Sequence, residues 1–232
     1  MKLLAIIFLP LSFLFAPFFQ AENKNFNRQR TFDVQHYSVK LSFDQKRRSV
    51  FGEATITLKP LNTKLRSISL DATNIKFQRV RLASNGIELP FNTSKGQIRI
   101  DLDREYGEDE SVDIELKYSA KPKKGIYFVK PKRKNGKVVR SEQIWTQGES
   151  EETRHWLPSF DFPDDKATTE THITVQNGFT VVGNGKLVSK KRNSDGTVTF
   201  HHKMPVPHSL YLTSFVVGKY ERITDFYNGI PL

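Results

Sequence analysis

The chain is predicted to fold as an all-β domain, and three observations predict it. Eighteen Phe and seven Tyr stand against two Met and two Trp, with Val, Ile and Thr common throughout, a mixture that suits pleated, half-buried surfaces better than helix faces. Apolar residues recur at every second position in short runs separated by Gly-containing turn signals, the period of a half-buried strand. No long segment carries a 3.6-residue period, a fixed repeat or low complexity. With 232 residues, 37% of them hydrophobic, the chain can fill a core of its own.

The first residues read as a targeting segment. Lys2 gives a positive start, and Leu3 to Phe19 is apolar apart from Ser12, with Pro10 and Pro17 interrupting it. A membrane-spanning helix needs roughly 20 apolar residues without such breaks, so residues 1–21 are expected to be a cleaved signal peptide, ending at Ala21, rather than a stable span. The expected location is outside the cytoplasm, periplasmic or secreted. The signal should also be the only long helix. Residues 22–31 form a polar linker, and 32–232 the β domain.

The domain's strands follow in order. His36 to Phe43 alternates Tyr37, Val39, Leu41 and Phe43 with polar residues, and Phe51 to Leu58 places Ala54, Ile56 and Leu58 on one side. The polar Asp44 to Arg48 segment between them reads as a hairpin loop. The pattern returns in Ser67 to Leu70, Lys76 to Leu82, Gln97 to Leu102 and Val112 to Tyr118, with turns at Asn85-Gly86, Lys95-Gly96 and Tyr106-Gly107. Strands are expected again at Glu170 to Val175, Phe179 to Val182, Lys186 to Ser189, Thr197 to His202 and Leu210 to Tyr220. Asp195-Gly196 between two alternating runs is a strong hairpin signal. Short strands at this spacing imply an antiparallel β-sandwich.

The formal charge is +11, but the basic residues fall mainly in turns and between strand-like runs, which argues against a nucleic-acid partner. The densest cluster, Lys121 to Lys137, surrounds Pro122, Pro131 and Gly136 and reads as a solvated loop. There is no Cys, which removes thiol nucleophiles, Cys-ligated metals and disulfides together.

The informative segment lies between the two halves. Trp145-Thr146-Gln147-Gly148-Glu149, Arg154-His155-Trp156-Leu157-Pro158 and Asp161 to Thr168 do not alternate as a strand would. Pro158 and Pro163 fix φ and remove two backbone donors, while Arg154, Asp161, Asp164, Asp165 and Lys166 place five charges in a partly aromatic stretch. The physical reading is an ordered loop with internal ion pairs, Arg154 to Asp161 foremost.

This segment resembles the N-terminal domain of the M1 family of zinc aminopeptidases, which carries T-Q-x-E, four residues, then R-x-x-x-P-x-x-D-x-P-x-x-K-A-T. The chain reproduces that run from Thr146 to Thr168. Val182-Gly183-Asn184-Gly185-Lys186-Leu187 resembles the family's V-x-S-N-G strand end, with Gly183 in place of the usual Ser. Pro207 to Leu212 and Phe215 to Tyr220 resemble the domain's closing strand. The resemblance implies a saddle-like antiparallel β-sandwich domain packed on a thermolysin-like catalytic domain, in cis or in trans. It implies substrate-binding roles for Glu149, at the free α-amine of a peptide N-terminus, and for Gln147, in the first side-chain pocket. Arg154, Pro158, Asp161, Pro163 and Lys166 are left to loop architecture.

The resemblance stops short of the chemistry. Hydrolysis in that family needs zinc held by H-E-x-x-H and a further Glu, and none of the six His here, His36, His155, His172, His201, His202 and His208, is followed by Glu. The family's G-x-M-E-N strand is absent as well. No catalytic residue and no metal ligand is assigned, no cofactor is expected on this chain, and zinc belongs to the full-length family enzyme. His201 and His202 are adjacent on a strand, so they point to opposite faces and cannot chelate together. The chain therefore reads as the N-terminal part of an exported aminopeptidase, inactive alone. The alternative is a stand-alone binding or scaffold module of the same fold.

Overall fold

The structure, a computed structural model, describes residues 28–61 and 64–231. The signal peptide and most of the linker expected from the sequence lie outside the described residues.

Chain order gives β1 (Phe32–Asp44), β2 (Ser49–Pro60), β3 (Leu65–Asp71), β4 (Ile75–Leu82), β5 (Phe91–Ser94), β6 (Gln97–Tyr106), β7 (Val112–Ala120), β8 (Ile126–Val129), β9 (Lys132–Lys134), β10 (Lys137–Arg140) and β11 (Gln143–Thr146). After a single-turn 3-10 helix at Thr153–His155 come β12 (Lys166–Val175), β13 (Thr180–Gly183), β14 (Lys186–Arg192) and β15 (Val198–Ser209). A second 3-10 turn, Leu210–Leu212, precedes β16 (Phe215–Gly218), β17 (Phe226–Tyr227) and β18 (Ile230–Pro231). No α-helix occurs among the described residues, and none of their helices is long and apolar enough to cross a membrane.

Three sheets build the body. The largest has seven strands in the order β14-β15-β12-β1-β2-β7-β4; a four-stranded sheet runs β13-β16-β11-β8, and a three-stranded one β3-β6-β5. Among the described residues every strand pair is antiparallel except one: β1 and β12 run parallel through the middle of the large sheet, so the expectation of a wholly antiparallel sandwich is corrected there. A parallel pair needs a long crossover, and everything from β2 to the end of the central loop serves as that connection.

Alternation sets the core. On β1 the buried side chains are Phe32 and Val34, then Tyr37, Val39 and Leu41; the change from even to odd numbering comes at a bulge, where Val34 faces Leu58, His36 faces Thr57 and Gln35 is the extra residue. One inserted residue turns the following side chains over. It keeps Tyr37 inside, where its hydroxyl accepts the Phe160 N–H at 3.1 Å. One contiguous apolar cluster runs through all three sheets, with Tyr37, Tyr118, Trp156 and Phe215 its largest enclosed side chains.

Three sequence expectations need correction. Leu210 to Tyr220 is not one strand: Leu210–Leu212 is a 3-10 turn and only Phe215–Gly218 pairs in a sheet. Trp145 and Thr146, read as loop, close β11, with Trp145 opposite both Val216 and Tyr127. The basic loop contains a hairpin, β9 with β10, turned at Asn135-Gly136, both at positive φ (51° and 78°); its residues are exposed, as expected of a solvated basic segment.

Gly52 faces Tyr118 across β2 and β7, and a Cβ there would fall 2.2 Å from the Tyr118 ring. The ring lies over the bare backbone, and its buried hydroxyl has no hydrogen-bond partner among the described residues. Gly52→Ala is expected to destabilise the domain by about 1–3 kcal/mol through overpacking. Tyr118→Phe is expected to stabilise it by about 1 kcal/mol, because an unpaired buried hydroxyl is removed. Urea unfolding measures both, and a lower midpoint for Tyr118→Phe would contradict an unpartnered hydroxyl.

Candidate functional site

The segment from Gln147 to Asp165 leaves the end of β11 and packs among all three sheets. Its first turn is fixed by backbone. Gln147 N–H donates to the Gly125 carbonyl (3.0 Å) and Glu152 N–H to the Gly148 carbonyl (2.8 Å). A Cβ on Gly148 would lie 2.4 Å from the Tyr211 carbonyl oxygen, so only glycine allows the loop to seat against the second 3-10 turn. Thr146 secures the base: its hydroxyl accepts the Phe215 N–H at 2.9 Å. Trp156, wholly buried, meets Phe215 edge-on at 5.5 Å.

The second part is held by charge. Asp161 Oδ2 accepts both the Arg154 backbone N–H (3.0 Å) and its Nε–H (3.1 Å), while Arg154 Nη2 donates to the Asp161 carbonyl (2.7 Å) and to Glu151 (2.7 Å). This is the pair expected from the sequence. A third carboxylate, missed by sequence reading, completes it: buried Asp71, at the end of β3, accepts the Asp161 N–H at 3.1 Å and lies 3.7 Å from Arg154 Nη2. Asp71 also pairs with Arg28, and its backbone bonds reciprocally with Ser159 (2.7 and 3.0 Å). It stands 90 residues before Asp161, and no local pattern points to it. Further along, buried Asp165 pairs with Arg30 at 2.7 Å, and the Pro163 carbonyl accepts the Ser209 hydroxyl at 2.7 Å. Pro158 is buried, whereas Lys166 is exposed at the start of β12.

Burial is the largest influence on Asp161 and lifts it to about 6, against the pull of the Arg154 hydrogen bonds and charge. Burial likewise raises Asp165, with Arg30 opposing and Asp33 adding to the rise. These acids are structural. They are enclosed, and each is paired with an arginine.

Gln147 and Glu149, with Ser150, are exposed, while Thr146, Gly148 and Thr153 between and beside them are buried. Of the three acids in the run, Glu151 pairs with Arg154, and Glu152 pairs with Lys124 (2.9 Å) and His155 (3.0 Å). Glu149 has no cation within 4 Å among the described residues. The Gln147 amide reaches only the Glu149 carbonyl, at 3.5 Å. Among the described residues the loop thus presents a Glu149 carboxylate without a cation and an exposed Gln147 amide on a hydrogen-bonded base. A groove of about 390 Å³ lined by Phe43, Ile144, Phe179 and Val217 lies at the other end of β11 and includes neither residue.

The histidines fall into separate places. His202 is buried and His201 lies on the opposite, partly open face of β15, as adjacent strand residues must. Sequence reading overlooked that β12 puts His172 directly opposite His201, so the two rings stack at 4.1 Å with Glu170 beside them. His155 is lowered by burial, with Glu152 opposing.

The fold is thus an all-β domain whose ordered central loop exposes the side chains of Gln147 and Glu149. The chain belongs to the family described as the Peptidase M1 N-terminal domain, whose model matches residues 33–212. It is similar to the puromycin-sensitive aminopeptidase of Caenorhabditis elegans (31% identical over 86% of this chain and 22% of that one). It is also similar to a probable aminopeptidase of Saccharolobus solfataricus (27%, over 71% and 20%) and to transcription initiation factor TFIID subunit 2 of Danio rerio (23%, over 89% and 21%). Among solved structures, the M1 zinc metallopeptidase of Deinococcus radiodurans, a variant bound to a Tyr-Ser-Ala substrate, has the same fold, with a TM-score of 0.72 and 24% identity over 85% of this chain and 44% of that one. The chain spans about a fifth of the length of the curated relatives it matches. The family's zinc-binding motif has no counterpart in it, since no His is followed by Glu.

The Asp161 environment makes a signed prediction. Between pH 4 and 6 the folded state holds a proton that the unfolded chain has released, so this group's stabilisation is complete below about pH 4 and is lost as pH rises through 6. A shift from 3.8 to about 6 corresponds to a loss on the order of 3 kcal/mol. The difference in unfolding free energy between wild type and Asp161→Asn, measured by urea titration from pH 4 to 6.5, should fall by up to that amount. A difference that rises with pH would show that Arg154 outweighs burial.

Proposed function

We propose that this chain is the amine-side wall of an M1-type zinc aminopeptidase. Glu149 receives the α-ammonium of a peptide N-terminus and Gln147 lines the pocket for the first side chain, while a catalytic domain, in cis or in trans, performs hydrolysis. The observation that carries this reading is the contrast within the acidic run: Glu151 pairs with Arg154 and Glu152 with Lys124, and among the described residues no cation does the same for Glu149. A carboxylate held on a fixed backbone with no partner is suited to a cationic ligand, which it binds by a charge-assisted hydrogen bond. The rigid base matters because positioning a single ammonium group fixes which peptide bond is presented. When bound in the catalytic domain, zinc supplies an activated water and polarises the scissile carbonyl; this chain's residues bind and orient.

Exposed apolar side chains support a docking role. Val182, Leu187, Val188, Val206 and Leu212 are about half or more exposed, and all lie on β13, β14, β15 and the second 3-10 turn, the last of which backs directly onto Gly148. Export, read from Lys2 and the apolar residues after it, belongs to the same proposal: N-terminal sequencing of the secreted protein should begin at Glu22, and an intact Met1 on exported material would overturn it.

The similarity to TFIID subunit 2, a transcription initiation factor by name, favours a second reading, a scaffold module of the same fold. One experiment separates the two. The chain is mixed with a purified catalytic half bearing H-E-x-x-H, and peptidase activity is compared for wild type and Glu149→Ala. A hydrogen bond to a charged group is worth roughly 1.5–3 kcal/mol, so deleting the carboxylate that receives the ammonium should lower kcat/KM by about 10–100-fold. Equal activity removes Glu149 from substrate binding, and no activity with either protein favours the scaffold.

A further inference from the structure

The partly open face of the seven-stranded sheet carries a second cluster that the aminopeptidase reading does not use. Glu170 and His172 are two apart on β12 and so share one face; His201 on β15 is the direct cross-strand partner of His172, where paired side chains lie closest. Glu170 Oε1 is 2.9 Å from His172 Nε2 and 2.9 Å from His201 Nε2, and one ligand atom from each residue falls within 4.8 Å of the other two. All three side chains are about four-fifths buried, with exposures of 20%, 26% and 17%. His201 Nε2 is shielded from solvent, yet its approach to the carboxylate lacks hydrogen-bond geometry. A buried ring nitrogen beside a shared carboxylate without a proper bond calls for another partner.

We infer that Glu170, His172 and His201 form a binding site for a divalent transition-metal ion of the zinc type, held by two imidazole nitrogens and one carboxylate oxygen. The donor set decides the class. Two imidazoles exclude the hard, all-oxygen sites of calcium and magnesium, and imidazole with carboxylate suits zinc, nickel or copper. The distances need little change, whereas the rings, stacked at 17° between planes, must turn out of parallel so that both Nε2 lone pairs converge on the ion. Bonds of about 2.0–2.1 Å at a tetrahedral angle put neighbouring ligand atoms roughly 3.3 Å apart, so the two 2.9 Å contacts open by a few tenths of an ångström as the ion enters between them. Each Nε2 gives up its proton or carries it on Nδ1, the ordinary alternative tautomer. The remaining coordination position is open to water.

Two cations work against the site: Lys203 Nζ lies 3.9 Å from the other Glu170 oxygen, and Lys40 faces His172 from β1. Both are long surface side chains free to swing toward solvent. An ion here clips β12 to β15, the two strands that link the central loop to the edge of the large sheet, and would stabilise the folded state by mass action.

The test uses the full chain, freed of metal by chelator, and Zn²⁺ alone as the probe. Calorimetric titration should give one equivalent bound, a rise in thermal midpoint with Zn²⁺, and binding at least about 10–100-fold weaker in His172→Ala and His201→Ala, an effect no smaller than that of removing an outer-shell partner. Glu170→Gln, which keeps shape and removes the charge, should weaken binding in the same direction. His155→Ala should bind as wild type does. Co²⁺ in place of Zn²⁺ should show the intense visible bands of a four-coordinate site, absent in His172→Ala. Failure to bind one equivalent, or equal binding by wild type and by His172→Ala confirmed as folded by circular dichroism, overturns the site.

Discussion

The arrangement of the domain depends on one cation enclosed by acids. Arg154 holds Asp161 through two nitrogens and its own backbone, and reaches Asp71 on a strand of another sheet. Opposite charges this far from water are individually costly, and they are tolerated only when most lone pairs are used. Asp161 and Asp71 meet that condition with backbone donors as well as guanidinium groups. The loop is consequently tied to β3 by polar contacts while Trp156 and Phe160 tie it to the apolar core. Loosening the arginine would leave buried Asp161 without its cation and Asp71 with Arg28 alone, so loop and sheets share one fate.

That rigidity is what gives the exposed residues their meaning. A glutamate on a mobile loop is a solvated surface charge, whereas Glu149 emerges from a turn whose neighbours are hydrogen-bonded backbone and a glycine pressed against Tyr211. Little conformational entropy remains to be surrendered when a ligand arrives. The division of labour among acids only two or three residues apart follows from reach: Glu151 and Glu152 each find a cation on their own side of the 3-10 turn, and Glu149, one turn earlier, finds none among the described residues.

Much of this was legible in the sequence because strands with one buried face declare themselves by alternation. β1, β2, β7 and β12 run longer than their alternating cores but lie where the pattern put them, and the Asp195-Gly196 turn carries the expected positive φ at Gly196. What was hidden has physical causes. β8 and β11 are four residues each, too short for a period to show against a charged background. The bulge at Gln35 leaves no trace in composition. The parallel pairing of β1 with β12 joins residues more than 120 positions apart, beyond any local signal. In the loop the Arg154–Asp161 pair was readable from spacing, whereas Asp71 reaches the site only through tertiary structure. The same limit concealed the histidine pair: adjacent His201 and His202 draw attention in sequence, but the partner of His201 is His172, brought opposite by register.

Membership of the family decides less than it first suggests. Arg154, Asp161, Pro158 and Gly148 answer to packing and burial, and any protein that keeps this fold needs them or equivalents, whether or not it cleaves peptides. Their presence therefore argues for the fold and is neutral between an enzyme's domain and a scaffold. Gln147 and Glu149 are different, since neither side chain contributes to the core and neither neutralises a neighbour among the described residues. An exposed carboxylate adds nothing to stability here that another polar residue would not supply. On the proposed reading its value lies in what it contacts outside this domain, and for that reason the distinction between a substrate wall and a bare scaffold rests on those two side chains and not on the longer motif that positions them.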